Sequence, residues 1–321
     1  MSLADIDFPG NNKKIAVIGV PIGFGAGQKG SELGAMAIRS AKIRGGSLVS
    51  QIAELGYDVN DYGDVEIVRP EYVAGANENP KYKTEMLASY ANVSNELKAI
   101  LGDDEFPVIL GGDHSIALGT FSAIASFYRV REQKEIGLIW LDAHADINTA
   151  ESSPSGNIHG MPLAALLGYG DADFVQLENY APKLNPQYCA HVGARDLDLG
   201  EKRRIRELGL SGNFFTMSDI DRRGMLECIE NAVKIASQAP GGYAVTFDVD
   251  IIDPCIAPGS GTLVRGGITY REAHLALEII SERGGMRSFE IVEVNPMLDQ
   301  SNITVELAVE LILSALGKTI L

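Results

Sequence analysis

Residues 136–148 read IGLIWLDAHADIN, an apolar run followed at once by polar side chains. The run Ile136–Trp140 has the length and apolar character of a buried strand. If its extended geometry continues, Asp142, His144 and Asp146 lie at i, i+2 and i+4 and project from one face. The stretch therefore predicts a buried strand that ends in three potential metal ligands.

Apolar strands and amphipathic helices alternate along the whole chain. About eight strands are predicted, at or near Lys14–Val20, Gly56–Val59, Phe106–Leu110, Ile136–Asp142, Tyr188–Gly193, Asn213–Thr216, Tyr243–Asp248 and Arg287–Val292. Helices are predicted at Gly34–Lys42, Lys83–Leu101, Ala117–Tyr128, from a capping box at Thr269 to about Glu282, and at Ile303–Leu316. Because strands joined through helices pair in parallel, we predict one three-layer α/β/α domain over residues 1–321 with a central, mostly parallel sheet.

The charge of the chain excludes some classes of partner. Lys and Arg number 27 and Asp and Glu number 43, which gives a formal net charge of −16. Such a charge argues against binding to nucleic acid or to an anionic membrane, and it favours the approach of a cationic substrate.

The N-terminus and the cysteines indicate a cytoplasmic protein. The first residues lack a basic segment followed by an apolar stretch, and no apolar run approaches the roughly 20 residues of a membrane span. The three cysteines, Cys189, Cys228 and Cys255, are widely spaced and fit neither a disulfide framework nor a thiolate zinc site.

A glycine-rich loop, Gly23–Gly30, follows the first predicted strand. Such loops can bind phosphate groups, so a nucleotide site is one interpretation. Neither G-x-G-x-x-G nor G-x-x-x-x-G-K-[ST] is present in register, and this lack of register disfavours a nucleotide site.

Polar residues also end two other predicted strands. His114 follows Phe106–Leu110, and Asp248 and Asp250 close Tyr243–Asp248. Ligands bind at the carboxyl ends of the strands in such sheets, where these side chains would meet. The set comprises His114, Asp142, His144, Asp146, Asp248 and Asp250.

The composition of this set predicts a site for two divalent metal ions. Four carboxylates at one edge of a sheet repel each other unless cations neutralise them, and two divalent ions match four negative charges. Oxygen-rich coordination with one histidine for each metal favours manganese over zinc, while iron and cobalt stay open. Two such metals can bridge a water molecule and lower its pKa toward about 7.

Five motifs in unbroken order resemble the successive signatures of the ureohydrolases. They are GGDHS at 111–115, DAHADIN at 142–148, SPSGNIHGMP at 153–162, FDVDIIDP at 247–254 and EVNP at 293–296. Among these amidinohydrolases the match is closest to the arginases, and it runs from about Ile15 to Leu321.

The resemblance implies roles for the polar residues. One Mn²⁺ would be held by His114, Asp142, Asp146 and Asp248, and the other by His144, Asp142, Asp248 and Asp250, so that Asp142 and Asp248 bridge them. Glu293 would accept the substrate guanidinium. His159 would shuttle protons to and from solvent. Independently of the resemblance, the leaving amine needs a proton, which Asp146 beside the hydroxide could pass on.

The resemblance also implies contacts with the rest of an amino acid substrate. Asn148 and Ser155 match positions that bind the α-carboxylate, and Asp198 and Glu201 match positions that face the α-amino group. Thr262 matches a threonine that lines the pocket. Leu263 and Arg265 depart from the arginase pattern, so the resemblance makes no prediction for the pocket rim near Thr262.

The activity implied is hydrolysis of L-arginine to L-ornithine and urea by a hydroxide that bridges two Mn²⁺ ions. The alternative is another amidinohydrolase, such as an agmatinase or a guanidinobutyrase. Asn148 argues against agmatinase, where this position is typically aromatic. A metal-binding protein without activity is disfavoured because the ligands and the candidate catalytic groups are all present. The resemblance also implies a homotrimer or a homohexamer.

Overall fold

Eight strands form one sheet across residues 14–43, 45–71 and 79–320, the part of the chain that the computed structural model describes. The strands are β1 (Lys14–Val20), β2 (Asp58–Asp64), β3 (Phe106–Gly111), β4 (Gly137–Leu141), β5 (Cys189–Val192), β6 (Phe214–Phe215), β7 (Tyr243–Asp248) and β8 (Met286–Val292). Every neighbouring pair is parallel, in the order β2-β1-β3-β8-β7-β4-β5-β6. The predicted α/β class and parallel sheet are confirmed. The extent of the domain, 1–321, stays a prediction.

Helices connect the strands and cover both faces of the sheet. They are α1 (Gly34–Ser40), α2 (Leu48–Glu54), α3 (Lys83–Gly102), α4 (Ile116–Glu132), α5 (Pro162–Leu166), α6 (Ala172–Val175), α7 (Leu199–Glu207), α8 (Met217–Arg223), α9 (Met225–Ala236), α10 (Tyr270–Arg283) and α11 (Ile303–Ala315). The predicted capping box starts α10, where Oγ1 of Thr269 accepts from the backbone N–H of Glu272. Among the described helices, none has the length and apolar character that crossing a membrane requires.

The burial of β1 explains the three layers. Ile15 and Val17 point into one hydrophobic core, which α2, α9, α10 and α11 complete. Ala16 and Ile18 point into a second core, which α3 and α4 complete. Because both faces of the strand are buried, its sequence is a continuous apolar run without alternation.

The edge strand β2 differs from the prediction. It was expected near Gly56–Val59 but lies at Asp58–Asp64, and all of its residues are exposed or half-buried. Among the described strands, it pairs with β1 alone. A polar strand at the edge of a sheet carries little of the hydrophobic pattern from which strands are predicted.

The strand order brings the polar loops together. The carboxyl ends of β3, β8, β7 and β4 are neighbours at one edge of the sheet. The loops that carry most of the predicted site residues start at these ends.

Candidate metal centre and active site

The loop after β3 holds His114 against the sheet. Gly112 lets this loop approach the loop after β1, since a Cβ at Gly112 would lie 1.8 Å from the carbonyl oxygen of Ile22. Asp113 then binds the glycine-rich loop, because its Oδ2 accepts from the backbone N–H groups of Gly25 at 2.7 Å and Ala26 at 3.1 Å. Two amides of that loop therefore bind a carboxylate of the protein itself.

Four of the predicted ligands meet at the ring of His114. Its Nδ1 lies 3.0 Å from Oδ2 of Asp142, 3.1 Å from Oδ2 of Asp146 and 3.1 Å from Oδ2 of Asp248. All four residues are buried. One ring nitrogen thus faces three carboxylate oxygens, and those of Asp142 and Asp146 lie close enough to it and to each other to hold one metal ion.

A second cluster forms beside the first around His144. Its Nδ1 lies 2.9 Å from Oδ2 of Asp250 and 3.5 Å from Oδ1 of Asp142. Asp142 therefore takes part in both clusters, one oxygen toward each histidine. Asp248 belongs to neither group of mutually close ligand atoms in the described chain; its Oδ2 faces His114, and its Oδ1 accepts from the backbone N–H of Asp250 at 2.8 Å.

The backbone that brings these ligands together is not an extended strand. The expected continuation of the strand is wrong, because β4 ends at Leu141 and Asp146 has a left-handed φ of 50°. Asp250 likewise lies in a 3-10 turn, Val249–Ile251, after β7 has ended. At Asp146 and Asp250, a turn after the strand directs the carboxylate into the cluster, and not the alternation of side chains along a strand.

The electrostatics of the cluster fit divalent metal ions. Burial and the charges of Asp250 and Asp142 raise the pKa of Asp248 well above its usual value. Burial lowers the pKa of His114, but hydrogen bonds to three carboxylates outweigh this and raise it well above the usual range. Groups of like charge at such close range in a buried site require cations to neutralise them. The carboxylate and imidazole donors are suitable ligands for those cations.

Glu293 and His159 form a pair next to the metal ligands. Oε1 of Glu293 accepts from the backbone N–H of His114 at 2.9 Å and lies 3.1 Å from Nδ1 of His159. Burial lowers the pKa of His159, but the hydrogen bond and charge of Glu293 outweigh it and raise the pKa to about 9. Glu293 has a φ of 63°, a conformation that costs about 1–3 kcal/mol in a non-glycine residue and is typical of functional sites.

A cavity of about 220 Å³ opens onto the cluster. It is lined by His144, Asp146, Asn148, His159, Gly160, Asp196, Asp198, Glu201, Asp248 and Thr262. Five of these residues carry carboxylates, and none of the described lining residues is a lysine or an arginine. The cavity is therefore acidic and suits a cation.

Comparisons with known proteins identify the family. The sequence matches the arginase family over residues 13–317. The arginase of Bacillus subtilis strain 168 is 44% identical over 310 residues, which cover 97% of this chain and 100% of that protein. The chain belongs to the arginase family. Solved arginases agree with this. That of Bacillus caldovelox has a TM-score of 0.88 at 39% identity and 96% and 99% coverage. That of Entamoeba histolytica, in complex with L-ornithine, has a TM-score of 0.84 at 28% identity, also with 96% and 99% coverage.

Not all of the residues predicted to contact the substrate of this arginase-family chain line the cavity. Asn148 donates from Nδ2 to Oδ2 of Asp198 at 2.7 Å. Asp198 and Glu201 form the capping box of α7, with Oδ1 of Asp198 accepting from Glu201 at 2.9 Å. Burial raises the pKa of Glu201 to about 7. These three residues line the cavity, whereas Ser155 is exposed and does not.

The loop after Gly261 keeps Thr262 at the cavity. Its Oγ1 donates to Oδ2 of Asp250 at 2.9 Å, so it contacts a predicted metal ligand directly. The two residues that depart from the arginase pattern, Leu263 and Arg265, are exposed. The charge of Arg265 therefore lies at the surface and not inside the cavity.

Sequence reasoning missed several residues that support the site. Trp140 donates from Nε1 to Oδ2 of Asp142 at 2.8 Å and stacks on His114 with ring centroids 4.2 Å apart. Its position two residues before Asp142 was a usable signal, since alternate residues of a strand share a face. Arg195 donates to the backbone carbonyl of Asp250 at 2.7 Å, and nothing local in the sequence indicates this contact. Asp196 also lines the cavity.

Proposed function

We propose that this chain hydrolyses L-arginine to L-ornithine and urea at a pair of Mn²⁺ ions. The observation that carries the proposal is the acidic cavity of about 220 Å³ that ends on the cluster of carboxylates and imidazoles. Arginine presents two cationic groups to such a cavity, the guanidinium and the α-amino group. The arginase of Entamoeba histolytica was solved with L-ornithine, the product expected of this reaction.

The ligand set supports the proposal of two ions and favours Mn²⁺ as their identity. His114 with Asp142 and Asp146, and His144 with Asp142 and Asp250, would each hold one ion. Asp248 would contribute to both, as the sequence motif implies. The excess of carboxylate oxygen over imidazole nitrogen favours Mn²⁺. When bound, such ions would lower the pKa of water toward about 7 and so supply hydroxide at neutral pH.

Glu293 would orient the guanidinium. A carboxylate can bind the planar guanidinium through two parallel hydrogen bonds, which fixes the plane of the reacting carbon. The hydrogen bond from the backbone N–H of His114 to Oε1 of Glu293 holds this carboxylate beside the metal ligands. Because guanidinium is a poor electrophile, such positioning contributes much of the rate.

Asp146 and His159 would handle protons. Asp146 lines the cavity and lies in the cluster, so it can accept a proton from the attacking water and deliver it to the leaving amine. His159 is the half-buried imidazole at the same cavity and can exchange protons with solvent.

The acidic side of the cavity would bind the α-amino group. Asp198 and Glu201 are held rigidly by their capping box, so their free lone pairs are preorganised for an ammonium group. Asn148 has a second N–H, besides the one given to Asp198, that can donate to the substrate carboxylate. Ser155 could reach that carboxylate only if its loop moved inward.

A urea assay with two substrates tests the proposal. Purified protein loaded with Mn²⁺ should release urea from L-arginine with a kcat/KM roughly 100-fold higher than from agmatine, which lacks the α-carboxylate. Loss of the charge-assisted hydrogen bond from Asn148, worth up to about 3 kcal/mol, gives a factor of this order. Faster release from agmatine or a guanidino acid would instead support the alternative amidinohydrolase, and no release from any guanidine would contradict the enzyme assignment.

His159→Ala should lower kcat for arginine by about tenfold, because water can partly replace a group that only relays protons at the end of a general acid–base step. The same assay measures this. His274→Ala is the control, since His274 lies on α10 and binds Ser314, away from the cavity. An unchanged kcat in His159→Ala would remove His159 from the mechanism.

The cytoplasmic location and the trimer or hexamer implied by the resemblance stay predictions. Sedimentation of the purified protein measures the second of these.

A further inference from the structure

A buried chain of hydrogen bonds runs from His114 away from the metal ligands. Nε2 of His114 lies 3.0 Å from Oγ1 of Thr246, and Thr246 donates to Oε1 of Glu290 at 3.0 Å. The other oxygen of Glu290 accepts from Oγ1 of Thr120 at 2.7 Å. Thr120, Thr246 and Glu290 are completely buried. No step of the proposed reaction uses any of these three residues.

The sheet itself builds this chain. Thr246 on β7 and Glu290 on β8 are direct neighbours in the parallel register, and Thr120 reaches them from α4. Burial raises the pKa of Glu290 to about 7, so a carboxylate at this place is costly. Ionisable groups kept in such positions are typical of functional sites.

The directions of the hydrogen bonds are coupled. A threonine hydroxyl has a single proton. If Thr246 donates this proton to the Glu290 carboxylate, its oxygen can only accept from His114, which places the imidazole proton on Nε2. If Glu290 were neutral and donated to Thr246, the hydroxyl would donate to Nε2, and the imidazole proton would move to Nδ1.

Only the first arrangement leaves a lone pair on Nδ1, the atom that faces Asp142, Asp146 and Asp248. We infer that Glu290, acting through Thr246, is a positioning residue that fixes the metal-binding tautomer of His114. Trp140 fixes the plane of the same ring by stacking on it. Groups behind a ligating histidine commonly orient it in this way, although here a threonine hydroxyl stands between the carboxylate and the ring.

The inference rests on the metal pair of the proposed function, so the wild-type protein is measured first. Metal-free protein is titrated with Mn²⁺, and bound metal is counted by EPR of the free ion and by elemental analysis. We expect two bound ions. Wild-type protein that binds none would overturn the proposed metal pair and this inference together.

Glu290→Gln and Thr246→Val are then titrated in the same way. Each should weaken one of the two binding steps by roughly 10- to 100-fold and leave the other unchanged, as expected for loss of a group behind one ligand. Thr246→Ser keeps the hydroxyl and should bind as the wild type does. Thr246→Val replaces the hydroxyl group with a methyl group, whereas Thr246→Ser keeps the hydroxyl and loses the methyl group, so the comparison of the two variants decides the question even if Glu290→Gln fails to fold.

Glu105→Gln is the matched control for removal of a buried carboxylate. Glu105 is 5% exposed and accepts from Asn60 at 2.7 Å and Tyr62 at 3.2 Å, beside the edge strand β2. Its Mn²⁺ titration should equal that of the wild type. Folded Glu290→Gln and Thr246→Val proteins that bind both ions with wild-type affinity would overturn the inference, and so would equal weakening of both steps.

Discussion

Asp142→Asn should abolish nearly all activity by weakening both metal sites at once. The carboxylate of Asp142 takes part in both ligand clusters, with Oδ2 3.0 Å from Nδ1 of His114 and Oδ1 3.5 Å from Nδ1 of His144. The amide has no charge and only one oxygen. Stabilisation by metal ions is worth several kcal/mol, so we expect kcat to fall by roughly 1,000-fold or more.

Two measurements check this expectation. Elemental analysis after dialysis should find less than one Mn²⁺ per chain, and the urea assay should give the lowered rate. Asp253→Asn is the matched control, because Asp253 lies in the loop after β7, close in sequence to Asp248 and Asp250, but binds backbone N–H groups of its own loop, such as that of Cys255 at 3.0 Å. A folded Asp142→Asn protein with two bound ions and normal turnover would exclude the shared role of this carboxylate.

Asp146→Asn should lower kcat by about 100- to 10,000-fold, the usual contribution of a general acid–base group. Asp146 lines the cavity, and its Oδ2 lies 3.1 Å from Nδ1 of His114. Asparagine keeps an oxygen for the metal but cannot accept the proton. This variant should therefore retain more metal than Asp142→Asn, and its fold should survive.

The comparison of metal content with rate separates the two roles of Asp146. Turnover that falls only in proportion to lost Mn²⁺ would make Asp146 a ligand alone. Turnover equal to that of the wild type would exclude the role of Asp146 in proton transfer. Far-UV circular dichroism verifies that the variant is folded, and Asp253→Asn again serves as the control.

The sequence predicts which residues gather because the chemistry of strand ends is local. The strands β3, β4 and β7 are apolar, and histidine or aspartate residues lie at or just after the end of each. Parallel strands place their carboxyl ends at a common edge of the sheet. His114, Asp142 and Asp248 therefore converge as expected. The predicted extended backbone at Asp146 was wrong, because a left-handed turn directs its side chain inward.

Residues whose partners are distant in sequence escaped prediction. Glu290 lies in an apolar strand, and its partner Thr246 becomes apparent only once β8 is known to pair with β7. Arg195 similarly binds backbone carbonyls on another loop. Long-range register is set by the packing of the whole sheet, which no local pattern encodes. The position of the polar edge strand β2 was predicted incorrectly for a related reason, because this strand buries little side-chain surface and so lacks a hydrophobic pattern.

The order of the strands also has a consequence for biosynthesis. The last strand of the chain, β8, lies in the middle of the sheet between β3 and β7. A nascent chain emerges N-terminal end first. His114 and Asp248, which lie on the two sides of β8, therefore have no common scaffold until residues 286–292 have left the ribosome. A polypeptide halted before that point contains every predicted ligand, but the loop that carries His114 is still without the strand that joins it to the other ligands, so the cluster around His114 forms only after β8 is in place.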